Sequence, residues 1–153
     1  MERPLQHPKA TLIFAALLLQ QSFVLSQSTC PNADFSQGNF SFWQGTTGTY
    51  ANPNQALGIV PGRHTIMNAP GIDPFTCGGL SVIPPGGTSS ARLGNSGTGA
   101  QAEELVYNLS VTAQTALFIY KYAVVLENPA GHLPEEQPEF TVRILDAAGN
   151  PIG

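Results

Sequence analysis

An all-β antiparallel sandwich is the fold this sequence predicts, and three observations point to it. Leu105, Tyr107, Leu109 and Val111 are apolar while Glu104, Asn108 and Ser110 alternate with them, with Val106 the exception, which is the period of a half-buried strand. In the next run Phe118, Tyr120, Tyr122, Val124 and Leu126 make one apolar face. Leu117, Ile119, Ala123 and Val125 make the other, broken by Lys121, as in a strand covered on both sides. A charged fraction of 10% with 16 Gly and 13 Pro fits an extracellular, turn-rich β domain better than a cytosolic helical one. The β-branched and aromatic content of 117–126 argues against the competing helix. Thr112 to Thr115 is long enough for a tight reversal, so residues 103–126 read as a hairpin at the centre of the sandwich.

From the start, residues 1–26 read as a signal peptide. Arg3 and Lys9 give a basic start, 11–19 is apolar after its first residue, and Val24-Leu25-Ser26 precedes a cut at Gln27. A single N-terminal anchor is the alternative, although the apolar core is short for a span. Export leaves one β-sandwich domain, residues 27–153, with nine acidic and four basic side chains and a formal charge of −5. Without clustered Lys and Arg, neither nucleic acid nor an anionic membrane is an expected partner.

Two cysteines, Cys30 and Cys77, suggest a bridge in an exported protein. Closing that loop would stabilise the fold by about 4 kcal/mol. Free thiols, or a partner for Cys77 outside this chain, are the alternatives. Asn32 to Phe35 reads as an opening strand, Gln37-Gly38-Asn39 as a turn, and Phe40 to Gln44 as an aromatic segment needing apolar cover. Between Thr46 and Gly78 the breakers Gly48, Pro53, Pro61-Gly62, Pro70-Gly71 and Pro74 predict long connections around one short strand, His64 to Met67. Leu80 to Ile83 is a further brief strand closed by Pro84-Pro85-Gly86-Gly87. Gly94 to Gly99 is a turn rather than a phosphate loop, since it lacks a lysine and leads into a strand. After a polar loop at 129–138, Phe140, Val142 and Ile144 alternate as a last strand before the turn Ala147 to Pro151. A sandwich seldom stops on a turn that opens an unpaired edge, so a longer protein with further strands is expected.

Asn32, Asp34, Phe35, Gly38, Phe40 and Trp43 form an opening that resembles jelly-roll domains of the carbohydrate-binding-module and galactose-binding-like group. Ser36 stands where many of those relatives carry a glutamate that helps hold structural calcium, a departure that weakens the expectation of calcium here. A second set of motifs, RLGN at Arg92 to Asn95, YAVVLENP at Tyr122 to Pro129 and EEQPEF at Glu135 to Phe140, resembles the N-terminal region of secreted bacterial surface proteins of the gliding-motility-associated and PKD-domain type. Those relatives use type IX secretion. The first resemblance implies a jelly-roll fold; the second implies a secreted cell-surface location and an adhesion or binding role, and supplies no ligand. Surface polysaccharide or another cell-surface protein is the expected partner.

Chemistry-bearing patterns are sparse. Outside the leader the histidines are His64 and His132, and neither has metal-ligand spacing; no G-x-S-x-G elbow is present. Glu103-Glu104 and Glu135-Glu136 are adjacent pairs, which on strands point to opposite faces rather than across a cleft. The chain is therefore expected to be non-catalytic. Glu127 suits an ion pair with Arg92 or Arg143, or with Asp34 a weak cation site. Trp43 and Tyr120 are candidate platforms for a sugar ring, set against core packing as their alternative. A carbohydrate-binding module and an accessory domain of a secreted hydrolase are the other functional expectations. Asn39-Phe40-Ser41 and Asn108-Leu109-Ser110 match the N-glycosylation pattern, which matters only on a eukaryotic secretory route.

Overall fold

The computed structural model describes residues 30–113, 115–127 and 130–152, apart from the side chain of Glu135. The expected signal peptide lies outside the described residues. Five strands form in the order β1 (Trp43–Thr49), β2 (Asn52–Leu57), β3 (His64–Met67), β4 (Ser90–Leu93) and β5 (Gln101–Tyr107), and the only helical element described is a 3-10 turn at Pro134–Glu136. They make two antiparallel sheets, β2-β1-β5 and β3-β4. The fold is all-β and antiparallel. No helix among the described residues is long and apolar enough to cross a membrane.

The centre of the larger sheet is β1, and small residues make it so. Gly45, Thr46, Thr47 and Gly48 are buried in succession. A Cβ on Gly48 would lie 2.1 Å from the Asn52 carbonyl oxygen and 2.4 Å from that of Pro53, so the β1–β2 turn closes only over a glycine. Gly48 also sits where the β1–β2 register shifts, between Thr47 and Thr49. Pro53 lacks an N–H and is tolerated because β2 is an edge strand, exposed along its length.

Polar side chains fasten the layers together. Among the described residues no hydrophobic side chain is buried, whereas Asn32, Thr46, Thr47, His64 and Ser89 are. The Val60 amide donates to His64 Nδ1 at 3.1 Å, so Nε2 carries the proton and donates to the Glu104 carbonyl at 3.2 Å. Arg63 Nη2 donates to the carbonyls of Gly48 and Ala102 at 3.1 and 3.0 Å, and its Nε pairs with Glu103. The smaller sheet is thus pinned to the larger one by two consecutive side chains at the head of β3.

Several local expectations are corrected. Asn32 to Phe35 is a set of turns with positive φ at Asn32 (55°) and Phe35 (58°), not a strand. Leu80 to Ile83 contributes one isolated bridge, Ser81 to Ile72. The central hairpin is half formed. Thr112 to Thr115 does turn, with the Thr115 amide on the Thr112 carbonyl at 3.1 Å, but β5 pairs with β1 and residues 117–126 join neither sheet. A ribbon apolar on both faces gains little from a single-layer sheet, which satisfies its edges and covers neither face. Cys30 and Cys77 are not joined by a disulfide. Cys77 is held on an exposed turn with φ 51°, closed by the Leu80 amide on Thr76 Oγ1 and the Asp73 amide on the Leu80 carbonyl.

The turn at the far end is a real hairpin closed by one carboxylate. Leu145 bridges Pro151, the Ile152 amide donates to Ile144, and Asp146 Oδ1 accepts from the amides of Ala148 and Asn150, both at 2.8 Å. Hydrogen bonds from the Asn150 backbone and then its side chain hold the Asp146 carboxyl below its ordinary range. A depressed carboxyl contributes stability above the unfolded pKa and loses it as pH falls through the folded one. The Ile152 amide is therefore expected to be protected from exchange at pH 6 and to lose that protection progressively as pH falls below about 4. Asp146→Ala should leave it unprotected at both; equal protection at both pH values in the unsubstituted chain would count against this closure.

Candidate functional site

Extended chain sets alternate side chains on one face, about 6.6 Å apart. Phe118, Tyr120 and Tyr122 use that spacing to stack. Ring centroids lie 6.1 Å apart at 26° for Phe118–Tyr120 and 5.6 Å at 29° for Tyr120–Tyr122. Phe140 continues the row, 5.4 Å from Tyr122 at 22°, which brings 140–145 beside the ribbon. Arg143 ties the same segment to β5 through Glu104 at 3.4 Å, and Lys121 Nζ donates to the Pro85 carbonyl at 2.6 Å.

The ribbon is otherwise uncovered. Leu117 is 80% exposed, Ile119 74% and Tyr122 64%, and Val124, Val125 and Leu126 lie between 43% and 49%. None of the backbone hydrogen bonds among the described residues involves 116–127. Residues 117–126, Lys121 apart, thus present apolar side chains on both faces, and their N–H and C=O groups are unused among the described residues. Isolated apolar residues at a surface are ordinary; a contiguous stretch of this length is a candidate interaction surface.

A second cluster surrounds Asn32. Its amide nitrogen donates to the carbonyls of Asn39 and Ser41 at 2.9 and 3.0 Å, and its Oδ1 accepts from the Gln37 amide at 3.0 Å. Trp43 Nε1 donates to the Asn32 carbonyl at 2.9 Å, and Tyr107 Oη donates to the Pro31 carbonyl at 2.9 Å. Burial pushes the Tyr107 phenol up, with Cys30 and Asp34 adding to the effect. Hydrogen bonds from the Ser36 hydroxyl and then its amide hold the Asp34 carboxyl below its ordinary range.

The candidate residues read from the sequence are dispersed differently from the expectation. Trp43 is stacked against Phe35 at 4.5 Å and 20° and tilted against Tyr107 at 4.8 Å and 47°. Tyr120 has a ring neighbour on each side within the row. A pyranose needs an open ring face; Trp43 gives one face to Phe35, whereas Tyr120, with a ring on each side in its row, is still 46% exposed. Arg143 reaches Glu104 rather than Glu127, and Arg92 is exposed, so the expected pairing with Glu127 does not form. Asp34 and Glu127 belong to no common cluster; among the described residues no group of three or more His, Cys, Asp and Glu could hold a metal ion. Sequence reading missed Asn32 as an anchor and Arg63 with Glu103 as a clamp. The one available signal was a lone arginine in a loop otherwise free of charge.

No protein-family model, curated protein or solved structure matches this chain.

Proposed function

We propose that this chain is a non-catalytic adhesion or structural module of a secreted bacterial cell-surface protein, with a jelly-roll sandwich as its finished architecture. The ribbon at 117–126 carries the reading: its faces are apolar and its edges unpaired, and the groups it offers are those by which one β layer joins another. Chemistry of that kind binds by strand addition and apolar cover, and calls for no nucleophile, acid pair or metal. The Trp43 ring face taken up by Phe35 weighs against a polysaccharide stacked at that position.

The test sets strand-mediated assembly against glycan retention. The purified chain is passed over immobilised surface polysaccharides, and amide exchange across 117–126 is followed as its concentration is raised or an alternating valine–threonine peptide is added. Blank polysaccharide columns, with slowing of those amides on assembly, are expected. Retention on a polysaccharide that disappears in Tyr120→Ala would overturn the reading in favour of sugar binding.

A further inference from the structure

The ribbon and the residue that follows it carry one charge of each sign, Lys121 and Glu127, six residues apart in an otherwise apolar run. That spacing has a symmetry consequence. Two copies laid antiparallel about an axis through Val124 set Lys121 of each against Glu127 of the other, Tyr122 against Leu126 and Ala123 against Val125. Parallel in-register pairing sets Lys against Lys and Glu against Glu. No other antiparallel register opposes Lys121 to Glu127, and those centred on residue 121 or 127 set like charge against like.

We propose that residues 121–127 pair antiparallel with the same residues of a second copy of this chain, forming a two-fold joint centred on Val124. This rests on the reading of the ribbon as the working surface of a non-catalytic module, and names its partner. The seven-residue ladder matches the β1–β5 ladder in length and relates the two copies by a two-fold axis. Both Lys–Glu pairs fall at its ends, where they fix register, the property a uniformly apolar strand lacks. Lys121 remains able to take this role, because an ammonium has three donors and the Pro85 carbonyl uses one. On the opposite face Tyr122 meets Leu126, so the aromatic row that ends at Phe140 continues into apolar surface of the partner.

Sedimentation of the purified chain from roughly 1 to 100 µM should show a monomer–dimer equilibrium. Lys121→Glu and Glu127→Lys should each weaken it about tenfold, since each turns two attractive pairs into repulsive ones, and the charge-swapped double variant should return to within about threefold of the original. Val124→Cys should give a disulfide dimer under oxidation, because directly opposed Cα atoms lie about 4.5–5.5 Å apart. Peptide mapping must locate that bond between two copies of position 124. Slow exchange at the Thr46 and Thr47 amides checks that each variant is folded. A monomer at every concentration, a dimer indifferent to both charge reversals, a double variant no better than the singles, or polydisperse aggregation would overturn the proposal. A monomer that still takes up the valine–threonine peptide would refute self-pairing alone; a monomer that takes up nothing would refute the functional reading as well.

Discussion

Replacing Trp43 with alanine is expected to lower the unfolding free energy by about 3 kcal/mol. Three contacts end at once. The indole stacks on Phe35, it meets Tyr107 as its directly opposed cross-strand neighbour, and its Nε1 donates to the Asn32 carbonyl. With no hydrophobic side chain buried among the described residues, this half-buried aromatic cluster is the nearest thing to an apolar nucleus that the β1–β5 pair possesses. Asn32 has positive φ, so its turn is held by its partners rather than by its own backbone preference, and losing the indole releases one of them. Trp43→Phe keeps an aromatic face and loses the Nε1 bond, for a smaller cost of about 1 kcal/mol. Trp43 is the sole tryptophan, so urea unfolding must be followed by far-UV circular dichroism rather than indole fluorescence. An alanine variant within 1 kcal/mol of the parent would mean that the cluster decorates the sheet without holding it.

What could be read in the sequence was what depends on side-chain period. The strand at His64–Met67, the turn at Thr112–Thr115 and the all-β class follow from local alternation and breakers. The β1–β2 hairpin did not show itself, because β1 is buried through Gly45, Thr46, Thr47 and Gly48, whose burial reflects close backbone approach rather than hydrophobicity. Pro53 reads as a breaker, and only an edge position reconciles it with a strand. The opposite error arose at 117–126. Apolarity on two faces says that a ribbon needs cover; it does not say from where. The expected ion pair failed for a related reason: once β5 takes β1 as its neighbour, Glu104 stands within reach of Arg143, and Glu127 is left at the far end of the ribbon.

The other large effect is expected at Arg63. Gly48 and Ala102 are paired residues of β1 and β5, and Arg63 Nη2 bonds both of their carbonyls while Nε pairs with Glu103, whose side chain is 9% exposed. A planar fork reaches three acceptors at once; an ammonium on a flexible stem does not. Arg63→Met should therefore cost about 3 kcal/mol, most of it from a carboxylate left buried without its cation. Arg63→Lys should recover part of that loss. The decisive measurement is the double variant Arg63→Met with Glu103→Leu, which removes the stranded charge together with its partner and should be more stable than Arg63→Met alone. Slow amide exchange should also fail first in β3 and β4, because Arg63 and His64 are the side chains that fasten the smaller sheet to the larger. If the double variant is no more stable than the single one, the energy lies in the two carbonyl bonds and not in the ion pair.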